Sequence, residues 1–346
     1  TLDGGRNWTR QDSGTTVNLH AIAFRDSNHG WAVGGLPGAQ TRASRGVVLR
    51  TANGGKTWES LATTALPRLT GLRVVGGRLI AWGDYSVQNR AAILVSMDEG
   101  NSWVSMPSSI VHVNALGVEP SGSVLAVDRI GNAYNSQLGA TRAFFATSPS
   151  QPLAFIEHLG NSWLAGGTDG QLIRTVDGQS WSRVSMPLSP SSQQVCQWRA
   201  AAVVNDHIWV AGSPGSIVMH SGNRGLTWET LTTDQTLPLR AIAFADRQRG
   251  WAVGPLGLIL ATRDGGRTWY TQHKTALKLG LLAITSRGTQ TPWGALVATC
   301  WDNSIAAGAL TVFGQELAQS ANYRVESWIC RQALAPQLGL VDYQSW

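Results

Sequence analysis

The chain has 346 residues, 43% of them apolar, and a formal charge of +6. That length and apolar content support a sizeable core; no apolar run reaches the roughly 20 residues of a membrane-spanning helix. Three cysteines (Cys196, Cys300, Cys330) stand too far apart for a disulfide framework or a zinc site.

The 39 glycines and 16 tryptophans point to short strands joined by tight turns. An eight-residue pattern recurs: Ser/Thr, any residue, Asp/Asn, any residue, Gly, any residue, Ser/Thr, Trp. It opens the sequence, running through Asp3 to Trp8 with Asn7 in the hydroxyl position. It returns through Asn53 to Trp58, Asp98 to Trp103, Asn223 to Trp228 and Asp264 to Trp269, and one residue shorter through Asp177 to Trp181. The gap between Trp103 and Trp181 holds about two repeats of roughly 40 residues, so a degenerate copy is expected between Tyr134 and Phe144. Thr1 falls inside a repeat, so the natural N-terminus is expected upstream with any targeting segment; an extracytoplasmic location is favoured.

Each copy sits at one place in a larger unit. In the first unit, strands are expected at Leu19 to Phe24, Gly30 to Gly34, Val47 to Thr51 and Trp58 to Leu61. The last repeats them at Leu239 to Phe244, Gly250 to Gly254, Leu258 to Thr262 and from Trp269. Tryptophans recur in second strands as Trp31, Trp82, Trp163, Trp209 and Trp251. Four short strands per repeat describe a propeller blade. Six complete blades are counted: 17–61, 66–107, 110–148, 152–186, 196–233 and 238–273. Residues 1–12 would supply the outer strand of a seventh. The expectation is an all-β, seven-bladed β-propeller of four-stranded blades over 1–274, its N-terminal blade incomplete.

In the repeated turn, Asp or Asn accepts backbone N–H groups, Gly takes angles other residues avoid, and the hydroxyl adds a local bond. The Trp buries apolar area between blades. These residues therefore read as structural braces rather than as catalytic or calcium-binding carboxylates.

After Lys274 the pattern changes. Leu279 to Thr285 reads as a strand, and Thr291 with Pro292 can open a helix whose stripe is Trp293, Leu296, Val297, Cys300 and Trp301. A second strand is expected over 306–313 and a further helix over 315–334. Residues 275–346 thus read as a short, truncated α/β segment; the rival reading is that 279–313 supplies the missing inner strands of blade seven, against which the Pro292 helical stripe argues.

The Gly-Trp-Ala-Val-Gly second strand, the Leu-x-Thr third strand and the Asp-Gly-Gly-x-Thr-Trp turn resemble the Asp-box (bacterial neuraminidase repeat) propellers over residues 1 to about 273. Within them the chain is most similar to the photosystem II assembly/stability factor family and its bacterial relatives. That resemblance implies a seven-bladed propeller that binds other proteins and catalyses nothing.

A sialidase would need a Phe/Tyr-Arg-Ile-Pro motif and an arginine triad, and Phe24-Arg25-Asp26 continues wrongly. The alternative function is a glycan-binding or sialidase/glycosidase-like propeller. No nucleophile–base spacing appears among the seven histidines, and no cofactor or metal site is expected. Arginines do gather in loops at one edge: Arg42, Arg45, Arg90 and Arg129, with Arg68 and Arg240 starting inner strands there. Such an edge suits a protein or acidic peptide, a membrane complex among the candidates. Nucleic acid is not expected, because no aromatic-interleaved basic cluster appears.

Overall fold

The structure is a computed structural model. It describes residues 11–38, 43–61, 66–86, 91–106, 113–119, 122–137, 140–145, 152–178, 180–273, 280–287 and 295–301. These form six four-stranded antiparallel sheets and one two-stranded sheet. The strands of sheet 1 are Leu19–Phe24, Gly30–Leu36, Arg45–Thr51 and Glu59–Ser60. Sheet 2 comprises Leu69–Val75, Arg78–Ser86, Ala91–Ser96 and Val104–Ser105. Val113–Val118, Val124–Asp128, Asn132–Gln137 and Ala140–Phe145 make sheet 3. Sheet 4 has Leu153–His158, Trp163–Gly167, Leu172–Thr175 and Ser182–Arg183. Sheet 5 has Gln197–Val204, His207–Ser213, Ile217–Ser221 and Glu229–Leu231. Sheet 6 has Ala241–Phe244, Gly250–Val253, Ile259–Thr262 and Tyr270–His273.

First strands of successive sheets pack side by side. The two-stranded sheet, Gly280–Arg287 with Ala295–Trp301, lies between the first strands of sheets 6 and 1 and completes the ring. Fold and topology are those of an all-β propeller. Two expectations need correction. The described residues hold six four-stranded sheets rather than seven. The helix expected from Pro292 through Trp301 is, over Ala295–Trp301, a strand paired with Gly280–Arg287. A continuous apolar run such as Leu296–Val297–Ala298 carries no period that separates a buried strand from a helix. One compact unit runs from Thr1 to Trp301, so this strand pair belongs with the propeller. The strand and helix expected at 306–313 and 315–334 lie outside the described residues.

Five of the six first strands carry a bulge near the start, where one residue drops out of register. It falls between Leu19 and Ala21, Leu69 and Gly71, Val113 and Ala115, Leu153 and Phe155, and Trp198 and Ala200. The two-stranded sheet has the same shift, between Leu281 and Ala283. In sheets 1, 2, 4 and 5 a glycine stands opposite the residue before the bulge: Gly34, Gly83, Gly167 and Gly212. A Cβ at Gly34 would lie 1.9 Å from the Asn18 carbonyl oxygen, which is why the motif ends in Gly.

The core is laid down in the seams between sheets. Trp31, Val33 and Val48 of sheet 1 pack with Leu69, Leu72 and Leu79 of sheet 2. Trp209 and Val218 of sheet 5 pack with Ile242, Phe244 and Leu260 of sheet 6, with Trp209 and Phe244 stacked at 3.6 Å. The second-strand tryptophans do not share one register. Trp31, Trp209 and Trp251 pair with Ala23, Ala202 and Ala243, three positions before the glycine, whereas Trp82 and Trp163 are displaced along the strand. The sequence spacing hides this because the turns before these strands differ in length.

Candidate functional site

The sheets present two edges. One holds the turns from first to second strand and the Asp boxes from third to fourth. At the box of sheet 6, Gly266 N–H donates to Thr262 Oγ1 at 2.8 Å and Thr268 N–H to Asp264 Oδ1 at 2.9 Å. The Thr262 hydroxyl donates to Asp264 Oδ1 at 2.8 Å. The boxes at Asn53, Asp98 and Asn223 repeat the geometry. Asp177, in the short copy, accepts Ser180 N–H at 2.7 Å. The second glycine of the full box has a positive φ, 94° at Gly266. Hydrogen bonds from the Ser102 hydroxyl and N–H and from Ser96 lower the Asp98 carboxyl to about 2. These acids are consumed by their own turns.

The box tryptophans turn into the seams. Trp103 packs against the cluster between sheets 1 and 2, Trp181 against that between 3 and 4, and Trp269 against that between 5 and 6. Trp228 is part of the cluster between 4 and 5, and Trp58 packs on Ile22, Ala32 and Leu49. Second-strand indoles reach the other way: Trp31 Nε1 donates to the Glu99 carbonyl and Trp209 Nε1 to the Gly265 carbonyl, each at 2.8 Å, tying one sheet to the next sheet's box. Sheet 3 has no box. The degenerate copy expected between Tyr134 and Phe144 falls on paired strands, Asn132–Gln137 with Ala140–Phe145. Its polar brace sits at the other edge, where buried Asp128 accepts Asn132 N–H at 2.9 Å and the Tyr134 hydroxyl at 2.8 Å.

That other edge carries the arginines. Arg45 begins the third strand of sheet 1 and is exposed. Two hydrogen bonds bring Arg45 and Arg68 to one seam: Arg68 N–H to Ser44 Oγ at 3.2 Å and Gly46 N–H to the Leu66 carbonyl at 2.7 Å. Arg68 Nη2 also pairs with Asp84 Oδ1 at 2.9 Å. Arg129, exposed in the turn after Asp128, lies 3.4 Å from Asn114 Oδ1 through its Nε. Arg240 is half-buried beside Ala241. Arg45 and Arg68 share a seam; Arg129 and Arg240 stand at other sheets along the same edge. Arg42, Arg90, Asp3 and Trp8 lie outside the described residues.

Sequence reasoning missed the ring formed by the bulged position. It is occupied by His20, Thr70, Asn114, Ala154 and Arg199 in the first five sheets, and Arg240 precedes Ala241 as Arg199 precedes Ala200. The readable signal was the position after the Leu, Val or Trp that opens the inner strand. Burial first, then the charge of Arg68, lowers His20 to about 4. Inside the ring, Arg73 of sheet 2 crosses sheet 3 to pair with Glu157 of sheet 4 and donates from Nε to the Leu116 carbonyl at 3.3 Å. The inner strands therefore present an ion pair at this depth rather than two facing carboxylates.

The family described as photosynthesis system II assembly factor YCF48 matches residues 149–241. The "Photosystem II assembly protein Ycf48" of Synechococcus sp. (strain JA-2-3B'a(2-13)) is 27% identical over 69% of this chain and 78% of its own length. This chain is thus similar to the photosystem II assembly factors. A "Photosystem II assembly lipoprotein Ycf48" from Synechococcus sp. (strain CC9902) is 26% identical to this chain, over 75% of this chain and 77% of its own length. A solved structure described as "YCF48 bound to D1 peptide" shares its fold, with a TM-score of 0.62 and 18% identity over 82% of this chain and 91% of that one.

Proposed function

We propose that this propeller is a non-catalytic scaffold that binds an acidic segment of a protein through the edge bearing Arg45, Arg68, Arg129 and Arg240. In doing so it assists assembly of a membrane protein complex, photosystem II being the complex for which its relatives are named. The observation that carries the reading is the pairing of Arg45 and Arg68 at one seam by a backbone hydrogen bond and one to the Ser44 hydroxyl, which sets two guanidinium-bearing residues side by side before a ligand arrives. A similarly folded propeller described with a bound D1 peptide supports a peptide as the ligand. The lipoprotein name of one relative supports an extracytoplasmic location; no helix among the described residues is long and apolar enough to cross a membrane.

We further propose that the two-stranded sheet is the inner half of a seventh blade. Its bulge matches those of the complete blades, and the box through Asp3 to Trp8 supplies the pattern of an outer turn.

Calorimetric titration of the D1 peptide into the protein and into R45A/R68A tests the binding role. The expected result is saturable binding, weakened about tenfold or more in the variant and strongly reduced by salt. Binding of equal strength to both proteins would remove the arginine edge from the mechanism.

A further inference from the structure

The propeller repeats its own parts, so a position filled in one blade can be compared with the same position left empty in another. At the seam between sheets 1 and 2, the Asp-box edge holds a carboxylate that the chain itself supplies. Arg50 stands opposite Trp31 and Glu59 opposite Arg50. Glu99, the residue after the box aspartate of sheet 2, closes this group: its Oε1 lies 2.8 Å from Arg25 Nη1, and its Oε2 3.8 Å from Arg50 Nη1. The Arg25 hydrogen bond, opposed by desolvation and helped by Arg50, holds the Glu99 carboxyl below its usual range.

The seam between sheets 5 and 6 has the same plan. His220 stands opposite Trp209 and Glu229 opposite His220, just as Arg50 and Glu59 do at the first seam. Trp209 Nε1 bonds to the Gly265 carbonyl as Trp31 Nε1 bonds to that of Glu99. Gly265 thus occupies the place of Glu99 and brings no carboxylate. In its stead is a groove of about 290 Å³. Its lining includes His207, His220 and Glu229 of sheet 5 and Arg247, Asp264 and Arg267 of sheet 6. Glu229 Oε1 lies 2.7 Å from His220 Nδ1, and His220 Nε2 lies 2.9 Å from His207 Nδ1. The carboxylate fixes the N–H on His220 Nδ1, so His207 donates to His220. Both rings stack on the indole of Trp209, at 5.7 Å and 5.1 Å.

Several nearby acids are already engaged. Asp206 pairs with Arg224, Asp246 with Arg249, and Asp264 with Thr262 and Thr268. Among the described residues, neither Arg247 nor Arg267 has a carboxylate partner.

We propose that this groove is a second binding site, distinct from the arginine edge, and that it takes a carboxylate of an acidic peptide in the place that Glu99 fills at the first seam. Arg247 and Arg267 supply the charge-assisted contacts, and His207 the proton-linked one. Burial, then His220 and Arg247, push the His207 imidazole below its usual range, with Asp206 opposing them. A bound carboxylate offsets the repulsion from Arg247 and favours the imidazolium, so binding tightens as the pH falls toward 6.

The test follows the His207 and His220 C2–H resonances and Trp209 fluorescence while a hexaglutamate peptide, and separately inorganic phosphate, is added to the intact protein. The expected result is saturable perturbation by the peptide, stronger at about pH 6 than at about pH 8. In R247A/R267A it weakens about tenfold or more. The substitution Gly265→Glu restores the carboxylate within the chain and is expected to abolish peptide binding; a non-glycine residue tolerates the backbone there, since Glu99 has φ 60° against 77° at Gly265. A Cβ at Gly265 comes within 2.9 Å of the Arg247 carbonyl oxygen, so the arginine double variant decides the question if G265E fails to fold. No perturbation by the peptide, an undiminished one in R247A/R267A, or a response to phosphate alone overturns the proposal.

Discussion

At the scale of single residues, the Asp box is a hydrogen-bonding device whose hydroxyl matters as much as its acid. Thr262 is 1% exposed, and its Oγ1 is the acceptor for the buried Gly266 N–H. Replacing it with Val keeps the shape and strands that donor, at a cost of about 1–3 kcal/mol; urea unfolding of T262V measures it. His20 gives a pH signature. The unfolded chain takes up a proton below the ordinary value of 6.5, whereas the folded imidazole resists until about pH 4. Stability therefore falls as the pH drops through that window. H20Q is expected to flatten this slope in urea midpoints taken at successive pH values. The box was legible from sequence because every participant lies within eight residues. His20 was not, because its environment comes from Arg68 and Asp84 of the next sheet.

At the scale of elements, the unit of stability is the seam. Trp103 and Trp269 bind their sheets to a neighbour by packing, and Trp31 and Trp209 by a hydrogen bond to the next box. Trp209 is fully buried, and Trp209→Ala is expected to cost about 3–5 kcal/mol, read as a shift in the urea midpoint. Strand order and blade limits were readable because turn chemistry repeats with the hairpins. The displaced registers of Trp82 and Trp163 were not, since only pairing with the first strand reveals them. The groove beside Trp209 was equally hidden. It rests on a Gly265 for Glu99 exchange, visible only once the two boxes are superposed on equivalent indoles.

At the scale of the whole molecule, ring closure was readable only as the rival to a separate α/β segment. Gly280–Arg287 joins the last sheet to the first, and the uninterrupted apolar stretch that suggested a helix is the strand Ala295–Trp301 paired with it. Ending the chain after Trp301 should therefore preserve protease resistance and a single unfolding transition. Ending it after His273 exposes the facing sides of sheets 6 and 1, and limited proteolysis should detect rapid loss of both.

The closing strand pair also sets an order of events. Hairpins within each sheet form on a microsecond scale, but Gly280–Arg287 must find Leu19–Phe24 from the far end of the described chain. The entropy of such a search grows only slowly, by about 0.6 kcal/mol for each doubling of the loop, so the penalty is bearable and the step comes late. The molecule thus assembles as an open arc that latches at a single point. A ligand clasping both sides of that latch would slow hydrogen exchange across the entire ring while touching only two of its sheets.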